Sequence, residues 1–312
     1  MDIQIETKEL SKWFNEVVAL NNVTVQITSG VIGLLGPNGA GKSTFIKLAL
    51  GLYRPSRGEI RVLGERPRNN FRIISQVGYC PEMDHFVEEV SGFEFLYWLA
   101  RYSGLVGEAG QKRVKEVLEQ VRMTDRMYDP IATYSKGMRQ RIKVAQALLH
   151  DPQILFLDEP MNGLDPSARE DLFNLVIRLG NEGKTVIFSS HVLHEVERVT
   201  DTVILIYNGR VLAFGKIRDI RDLIKNHPRT IVIETLEPKK IYQLLSFDTN
   251  ITTVNFEAQK LTVHTLDPIQ TFKFINEIVV DGKVPIYSFR CADEDLQSVF
   301  QYLISTHIPR GL

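Results

Sequence analysis

The chain reads Gly36-Pro37-Asn38-Gly39-Ala40-Gly41-Lys42-Ser43-Thr44 directly after the apolar run Val31–Leu35. This is a complete phosphate-binding loop between a strand and a helix. Its three glycines let backbone N–H groups surround a polyphosphate, and the positive end of the following helix adds to the attraction. By the usual roles in this motif, Lys42 reaches the β- and γ-phosphates, Ser43 offers its hydroxyl to Mg²⁺ and Thr44 helps to hold the α-phosphate. The sequence therefore predicts a site for ATP or GTP.

An acidic pair ends the apolar run Ile154–Leu157. Asp158 and Glu159 stand where phosphate-loop enzymes place a metal-holding acid. We expect Asp158 to support Mg²⁺, directly or through water, and Glu159 to polarise the water that attacks the γ-phosphate. The alternative, a strand end capped by two solvated acids, is disfavoured because the phosphate-binding loop lies upstream.

Length and charge set limits on the rest of the chain. At 312 residues it is long enough for one large and one small domain. Lys and Arg number 37 against 38 Asp and Glu, a formal net charge of −1, which gives no general attraction to nucleic acid. The densest positive run, residues 66–72, is better explained as a solvated loop than as a nucleic-acid site. We therefore expect no nucleic acid as a partner.

Cysteine use and hydropathy point to the cytoplasm. Cys80 and Cys291 lie far apart and neither belongs to a CxxC pair, which excludes the common metal and redox motifs and fits a reducing cytosol. The first residues carry no basic segment followed by an apolar core, and no stretch approaches about 18 uncharged apolar residues. We therefore expect a cytoplasmic protein that reaches a membrane only through a partner.

Strand-like and helix-like segments alternate through the first two thirds of the chain. Residues 3–6 and 17–27 alternate apolar and polar side chains, as half-buried antiparallel strands do. The runs 31–35, 154–157 and 185–188 are nearly all apolar, which is typical of strands covered on both faces. Helical patterns lie at 45–50, 92–102, 111–121, 137–149, 168–179 and 193–199. The fold class is therefore α/β with a mostly parallel sheet.

The last third of the chain has a different organisation. An Asn208-Gly209 pair between apolar runs predicts a β-hairpin that closes a first domain, residues 1–216. A charged helical stretch, 217–226, ends near Pro228, so residues 217–229 form a linker. Residues 230–312 show the order βαββαβ and a last helix at 293–305, which matches a small ferredoxin-like α+β domain. It contains no glycine-rich loop or titratable cluster, so we expect an accessory role in packing, dimer contact or regulation.

Further motifs stand in a fixed order around the acidic pair. They are Phe14 within Lys12-Trp13-Phe14, Tyr134-Ser135-Lys136-Gly137-Met138-Arg139-Gln140-Arg141, Asn162-Gly163-Leu164-Asp165, and His191 after an apolar strand. With the phosphate-binding loop, they make residues 12–215 resemble an ATP-binding cassette (ABC) ATPase. The resemblance implies a P-loop NTPase fold with an N-terminal antiparallel β subdomain and a helical subdomain.

The resemblance also assigns roles to individual residues. The segment from Tyr134 takes the place of the family's signature, Asp165 belongs to the D-loop, His191 is the switch histidine that contacts the γ-phosphate, and Phe14 stacks on adenine. Trp13 offers a second stacking face, although the register favours Phe14. A satisfied core histidine is the ordinary alternative for His191.

In this family, two ATP molecules lie between the phosphate loop of one chain and the signature of another. Ser135 and Gly137 begin the signature helix and would present a hydroxyl and backbone donors to a γ-phosphate, but not to that of their own chain. The resemblance therefore implies a nucleotide-dependent homodimer or heterodimer that hydrolyses ATP. Its further partners would be separate transmembrane permease subunits, with this chain peripheral to the cytoplasmic face of the membrane.

Two departures from the family pattern carry information. The signature reads Tyr-Ser-Lys-Gly-Met instead of Leu-Ser-Gly-Gly-Gln, a variant common in the exporter-type subfamily that includes ABC-2 ATPases with a small C-terminal regulatory domain. Glu82 stands at the Q-loop position, where glutamine is usual, and joins Ser43 and Asp158 as a candidate metal residue. The aromatic stretch 86–102 follows it and is either helical core or a groove that receives a membrane partner.

Other functions stay open. A soluble ABC-type ATPase acting on ribosomes or nucleic acid usually carries two cassettes, a long coiled coil or zinc-binding insertions, and none of these is present in the sequence. An ATP-binding interaction or immunity protein would not hydrolyse ATP, which the intact pair of Asp158 and Glu159 argues against. A small-molecule kinase would leave the signature segment and His191 without a purpose.

Overall fold

The computed structural model describes residues 3–222, 228–245, 248–282 and 284–292. The chain divides into two compact units, Met1–Lys216 and Ile217–Leu312. None of the described helices is long and apolar enough to cross a membrane.

The described part of the first unit contains nine strands in two sheets. In chain order they are β1 (Ile3–Phe14), β2 (Val17–Thr28), β3 (Val31–Leu35), β4 (Arg57–Val62), β5 (Val77–Cys80), β6 (Ile154–Leu157), β7 (Thr185–Ser190), β8 (Thr202–Tyr207) and β9 (Arg210–Lys216). The larger sheet has the order β5-β6-β7-β3-β8-β9, and its first five strands are parallel. The smaller sheet has the order β2-β1-β4 and is antiparallel.

The hairpin predicted at Asn208 and Gly209 is confirmed. Strands β8 and β9 pair in antiparallel fashion. Asn208 and Gly209 have φ values of 46° and 73°, as a tight turn with two left-handed residues requires. The hairpin adds one antiparallel strand to the edge of the parallel sheet.

Strands β4 and β5 were absent from the sequence-based prediction. The segment 57–62 contains a glycine and charged residues and pairs with β1 at the edge of the smaller sheet. The segment 77–80 is four residues long, and a Cβ atom at Gly78 would lie 2.1 Å from the carbonyl oxygen of Ala147. Both strands therefore depend on tertiary contacts that hydrophobic periodicity does not encode.

Seven α-helices accompany these strands in the described part of the first unit. They are α1 (Lys42–Ala49), α2 (Phe71–Ile74), α3 (Gly92–Tyr102), α4 (Gly107–Gln120), α5 (Lys136–Leu148), α6 (Pro166–Asn181) and α7 (Leu193–Val199). Helices α3, α4 and α5 pack against one another, and α5 also contacts β5. The positive run 66–72 includes a loop with exposed Arg66 and Arg68, as predicted, but its last two residues belong to α2.

The second unit begins with α8 (Ile217–Asp222). It continues with β10 (Arg229–Thr235), α9 (Pro238–Leu245), β11 (Ile251–Glu257), β12 (Lys260–Thr265), α10 (Pro268–Val280) and β13 (Ile286–Cys291). These strands form an antiparallel sheet in the order β11-β12-β10-β13. Its own core includes Ile231, Ile241, Leu261 and Ile275. The helix predicted at 293–305 lies outside the described residues.

Candidate nucleotide-binding and hydrolysis site

The phosphate-binding loop connects the carboxyl end of β3 to the start of α1. A Cβ atom at Gly36 would lie 2.2 Å from the carbonyl oxygen of Ile206, and one at Gly41 would lie 2.5 Å from that of Ala19. Gly41 also has a φ of 111°. Glycine is therefore required at both positions, because the loop is pressed against neighbouring backbone.

Lys42 is buried beneath this loop. Its Nζ donates to the carbonyl oxygen of Gly36 at 2.7 Å and to that of Pro37 at 3.2 Å. Nζ also lies 3.0 Å from Oε1 of Glu159, which is equally buried. The lysine charge is therefore balanced by the second residue of the acidic pair.

Glu159 connects Lys42 to His191. Its Oε2 lies 2.9 Å from Nδ1 of His191. Its Oε1, although close to Lys42, has no hydrogen bond in the described part of the chain. Since a buried oxygen without a hydrogen bond is costly, Oε1 is ready to accept a proton donor that enters the site. The three residues predicted to act in catalysis are thus brought together by the fold.

Ser189 organises the acidic pair, and sequence reasoning missed it. Its hydroxyl donates to Oδ1 of Asp158 at 2.8 Å and accepts from the backbone N–H of Glu159 at 2.8 Å. Glu159 has a φ of 48°, a left-handed conformation that is uncommon for glutamate. The strained turn directs Asp158 and Glu159 differently, as predicted. The sequence offered one signal for Ser189, which is its position near the end of an apolar strand and two residues before His191.

The loop that carries His191 is also fixed. The hydroxyl of Ser190 donates to Oε2 of Glu195 at 2.6 Å and accepts from the backbone N–H of Val192 at 2.9 Å. His191 itself is exposed, with 38% of its side chain accessible. It is therefore not a core histidine, since one ring nitrogen contacts Glu159 and the ring borders solvent.

A cavity of about 320 Å³ opens over the phosphate-binding loop. It is lined by Val17, Val18, Ala19, Asn38, Gly39, Ala40, Gly41, Lys42, Ser43, Thr44, Glu82 and Glu159. Phe14 does not line it but pairs with Val17 in the sheet, and its ring packs edge-on against Tyr53 at 5.2 Å. Phe14 and Trp13 are both partly exposed, so the structure leaves either ring accessible beside the cavity.

The predicted metal residues fit Mg²⁺. Ser43 and Glu82 line the cavity, whereas Asp158 is buried and precedes the lining residue Glu159 in the chain. The described residues contain no group of three or more His, Cys, Asp or Glu side chains that could hold a metal ion. Mg²⁺ suits such a site because it is usually held by one or two protein oxygens, substrate phosphates and water.

Two groups beside the acidic pair stay uncharged at neutral pH. Burial, aided by the charge of Asp158, raises the pKa of Tyr79 well above its usual range. Burial raises the pKa of the Cys80 thiol to about 12. The amide of Gln140 contacts the Cys80 sulfur at 3.4 Å. Neither β5 side chain therefore exchanges protons in this site, and neither described cysteine forms a disulfide.

The residues predicted to act on a second chain do not line this cavity. Ser135 caps α5 by accepting the backbone N–H of Met138 at 3.3 Å, and Asp165 caps α6 by accepting that of Ala168 at 2.9 Å. Gly137 of α5 lies opposite Ala168 of α6. A Cβ atom added at Gly137 would be at an ordinary van der Waals distance from Ala168. The signature and the D-loop are therefore neighbours on an exposed surface.

The aromatic stretch divides between core and surface. Phe95 and Leu96 are buried, whereas Trp98 and Tyr102 are 42% and 90% exposed. Tyr102 borders a second cavity of about 750 Å³. This cavity is also lined by Phe71, Ile74, Ser75, Val77, Ser103, Leu105, Arg113, Leu149, His150 and Asp151. The core interpretation therefore holds for the face of α3 that carries Phe95 and Leu96, and docking of a membrane partner at the exposed face stays a prediction.

Comparison with known proteins gives consistent results. The family model described as ABC transporter matches residues 20–162. The bacitracin transport ATP-binding protein BcrA of Enterococcus faecalis is 32% identical over 97% of both chains. An uncharacterised ABC transporter ATP-binding protein of Nostoc sp. is 39% identical over 67% of this chain, but the match spans only 63% of that relative. A solved structure of the ATP binding subunit of an ABC transporter is 33% identical, with a TM-score of 0.64, covering 71% of this chain and 93% of that one.

Proposed function

The chain belongs to the family of ABC transporter ATP-binding proteins, and from that premise we propose that it is the ATP-hydrolysing subunit of an exporter. It works as a nucleotide-bridged pair, with itself or with a related chain. The pair is bound to separate transmembrane permease subunits at the cytoplasmic face of the membrane. The observation that carries the proposal is the buried contact of Glu159 with both Lys42 and His191 at the phosphate-binding loop.

The described contacts support a mechanism in which ATP rearranges this contact. The β- and γ-phosphates attract Lys42, which otherwise neutralises Glu159 at 3.0 Å. Once Lys42 turns to the phosphates, Oε1 of Glu159 accepts a proton from the attacking water. His191 holds the other oxygen, Oε2, and so fixes the direction of the carboxylate. Nε2 of His191 then faces the γ-phosphate.

Mg²⁺ would be held by Ser43 and Asp158, with Glu82 near it, and supplies positive charge to the phosphates when bound. Ser189 keeps one oxygen of Asp158 occupied, so the other oxygen would be left to contact Mg²⁺ or its water. Phe14 packs on the adenine, and its edge-on contact with Tyr53 limits the rotation of its ring. The protein residues thus position the nucleotide before any second chain arrives.

A second chain supplies the other half of the site. Ser135, Gly137 and Asp165 are placed at exposed helix starts, where backbone N–H groups favour an anion. We assign Ser135 and Gly137 to the γ-phosphate held by the phosphate-binding loop of the partner, and Asp165, as part of the D-loop, to the nucleotide site between the two chains. Hydrolysis removes that phosphate and separates the pair, which changes the access state of the permease.

We divide the chain into an ABC ATPase domain (1–216), a linker (217–229) and an accessory domain (230–312). The antiparallel sheet of β1, β2 and β4 corresponds to the N-terminal β subdomain, and α3, α4 and α5 correspond to the helical subdomain. The sheet order β11-β12-β10-β13 supports a ferredoxin-like fold for the last domain. We propose a regulatory role for it, as in the ABC-2 exporter subfamily.

The direction of transport and the permease contact rest on two further observations. The variant signature and the full-length similarity to a bacitracin transport protein favour export. The cavity bordered by Phe71 and Tyr102 presents exposed apolar side chains beside β5, the strand that precedes Glu82. Such a surface suits a short helix of a permease.

The first experiment captures a tagged copy from detergent-solubilised native membranes and identifies bound proteins by mass spectrometry. We expect a polytopic membrane protein in near-equal amount. Recovery of ribosomes or DNA-bound proteins instead would contradict the exporter and favour a soluble ABC-type ATPase. The same capture with a Lys42→Ala variant is the control. This variant should lose nucleotide binding, while the residues that line the cavity of Phe71 and Tyr102 stay unchanged.

A further inference from the structure

The positive run 66–72 begins at a cavity of about 340 Å³ that shares no lining residue with the nucleotide cavity. It combines residues from the two connections that flank β4, 50–56 and 63–70. Its volume is within the range of about 300 to 1,000 Å³ that is usual for small-molecule sites. The chain as a whole has a formal net charge of −1. The lining, in contrast, has one acidic residue, Glu59, against four arginines, which are Arg54, Arg57, Arg66 and Arg68.

Two of the four arginines have a carboxylate partner. Nη2 of Arg57 lies 3.4 Å from Oε2 of Glu9, and Nη2 of Arg66 lies 3.7 Å from Oε2 of Glu59. The guanidinium groups of the other two form neither a hydrogen bond nor an ion pair with any residue that the structure describes, and these two are Arg54 and Arg68. The cavity therefore keeps an excess of positive charge.

The acidic residue closest to Arg68 in the chain does not neutralise it. Glu65 accepts a hydrogen bond from Arg72 through Oε1 at 2.9 Å and one from the side-chain amide of Asn70 through Oε2 at 2.7 Å. Both oxygens of this carboxylate are thus used on the side of α2. The charge of Arg68 stays available at the cavity.

Backbone packing brings the two unpaired arginines to the same cavity. A Cβ atom at Gly51 would lie 2.7 Å from the carbonyl oxygen of Pro67 and 2.9 Å from Cα of Arg68. Gly51 also has a φ of 72°, which other residues rarely adopt. The connection that carries Arg54 is therefore pressed against the one that carries Arg68, and the cavity is formed before any ligand binds.

Further donors and cations lie at this cavity. Oγ of Ser56 accepts the backbone N–H of Trp13 at 3.1 Å, and its hydroxyl proton has no acceptor among the described residues. Nζ of Lys12 and Nζ of Lys47 each lie 5.8 Å from the ring centre of Tyr53, which lines the cavity. The cavity thus offers a free hydroxyl donor within a field of positive charge.

We propose that this cavity binds a phosphate-bearing anion through the guanidinium groups of Arg54 and Arg68 and the hydroxyl of Ser56. Guanidinium groups present planar forks of donors that match phosphate oxygens, and a concave basic surface concentrates anions. The lining contains no His, Cys or Asp, so the site holds this group and does not cleave it. The phosphate belongs to the headgroup of an anionic membrane lipid or to a soluble phosphate compound, and two measurements separate these sources.

The first measurement is co-sedimentation of the full-length chain with vesicles of phosphatidylcholine, with and without phosphatidylglycerol. If the phosphate is that of a lipid headgroup, the chain binds only the anionic vesicles. Arg54→Gln with Arg68→Gln should then weaken this binding by about tenfold or more, because two basic groups near an anionic surface are removed. Lys112→Gln with Lys115→Gln removes the same charge from exposed positions of α4 and is the matched control.

The second measurement is a calorimetric titration of pyrophosphate into the chain saturated with ADP, which occupies the phosphate-binding loop. If the ligand is soluble, pyrophosphate binds and Arg54→Gln with Arg68→Gln abolishes this binding. Arg54→Lys with Arg68→Lys keeps the charge without the forked donors and should restore only part of it. ATP hydrolysis and melting temperature should stay unchanged in the glutamine variant, because both arginines are exposed, unpaired and outside the nucleotide cavity.

The variants distinguish a site from a general attraction of charges. Binding of either probe that depends on Arg54 and Arg68, and not on Lys112 and Lys115, supports the site and identifies the source of the phosphate. If neither probe binds the unchanged protein, the proposal is wrong. If both double variants lose binding equally, net charge causes the attraction and the role of the cavity is rejected. None of these results depends on the nucleotide-bridged pair.

Discussion

The two halves of the proposed site differ in how their polar groups are satisfied. At the phosphate-binding loop, Lys42, Asp158 and Glu159 are all at least 94% buried and contact other residues of the same chain. At the signature and D-loop, Ser135 and Asp165 are exposed and their only described side-chain bonds cap their own helices. The first half is therefore complete within one chain, whereas the side chains of the second half are exposed and their described bonds only cap their own helices.

Lys42→Ala, in the half of the site at the phosphate-binding loop, should have the largest effect on turnover and stability. Turnover is lost because the phosphates lose their buried cation. The nucleotide-free chain should also be destabilised, since removal of one partner from a buried ion pair typically costs about 3 to 5 kcal/mol. Thermal unfolding and ATPase assays measure both. The double variant Lys42→Ala with Glu159→Gln should regain part of the lost melting temperature while staying inactive. Equal melting temperatures for the single and double variants would contradict the described pairing.

Glu159→Gln should have the next largest effect. If Oε1 accepts the proton of the attacking water, turnover falls by about 10² to 10⁴ while ATP still binds. Single-turnover hydrolysis and equilibrium binding of ATP separate these two outcomes. Glu119→Gln, an exposed change on α4, is the matched control and should leave the rate unchanged. A normal rate for Glu159→Gln would remove the general-base assignment.

The first half of the site was largely predictable from sequence because its groups are contiguous or follow buried strands. The loop, the acidic pair and His191 each end a parallel strand, and parallel strands bring their carboxyl ends to one edge of the sheet. Ser189 was missed because a hydroxyl inside an apolar strand has no pattern of its own. Its role depends on the left-handed turn at Glu159, which only the structure reveals.

The second half was predicted only through resemblance. No periodicity or spacing indicates that Lys136 lies on Gly163, since the contact joins two loops through side-chain packing. The ion pairs of the other three cations of α5, Arg139, Arg141 and Lys143, are equally invisible in sequence, because their carboxylate partners lie 30 to 59 residues away. Tertiary contact thus decides which charged residues of the helix are paired within the chain.

Asp165 allows the second half to be tested with a smaller effect. Asp165→Ala removes the cap of α6 and should lower stability by about 1 kcal/mol, which is about 2 to 4 °C in melting temperature. Asp165→Asn keeps an acceptor for the backbone N–H of Ala168 and should unfold like the unchanged protein. If Asn weakens ATP-driven pairing in the Glu159→Gln background without lowering the melting temperature, the carboxylate acts between chains. If pairing follows stability, its role is confined to the cap.

The smallest effect is expected from a titratable group that lies in neither half. His150 borders the cavity of Phe71 and Tyr102, and a ring nitrogen lies 3.1 Å from the carbonyl oxygen of Val77. Burial, with a smaller contribution from the charge of Arg113, lowers the pKa of His150 below its usual value of about 6.5. The unfolded chain therefore binds this proton more readily than the folded chain. The stabilising effect is complete above about pH 6.5 and is lost as the pH falls through the lower folded value.

His150→Gln keeps a donor for Val77 but cannot titrate, so melting temperatures from pH 7.5 to 5 should decline less steeply in this variant than in the unchanged protein. The difference should be smaller than the change of about 2 to 4 °C that 1 kcal/mol produces in a domain of this size. If melting temperature declines equally steeply with pH in both proteins, groups other than His150 cause the loss of stability in acid. A permease helix that covers His150 would lower its pKa further, so the slope should increase in the captured complex.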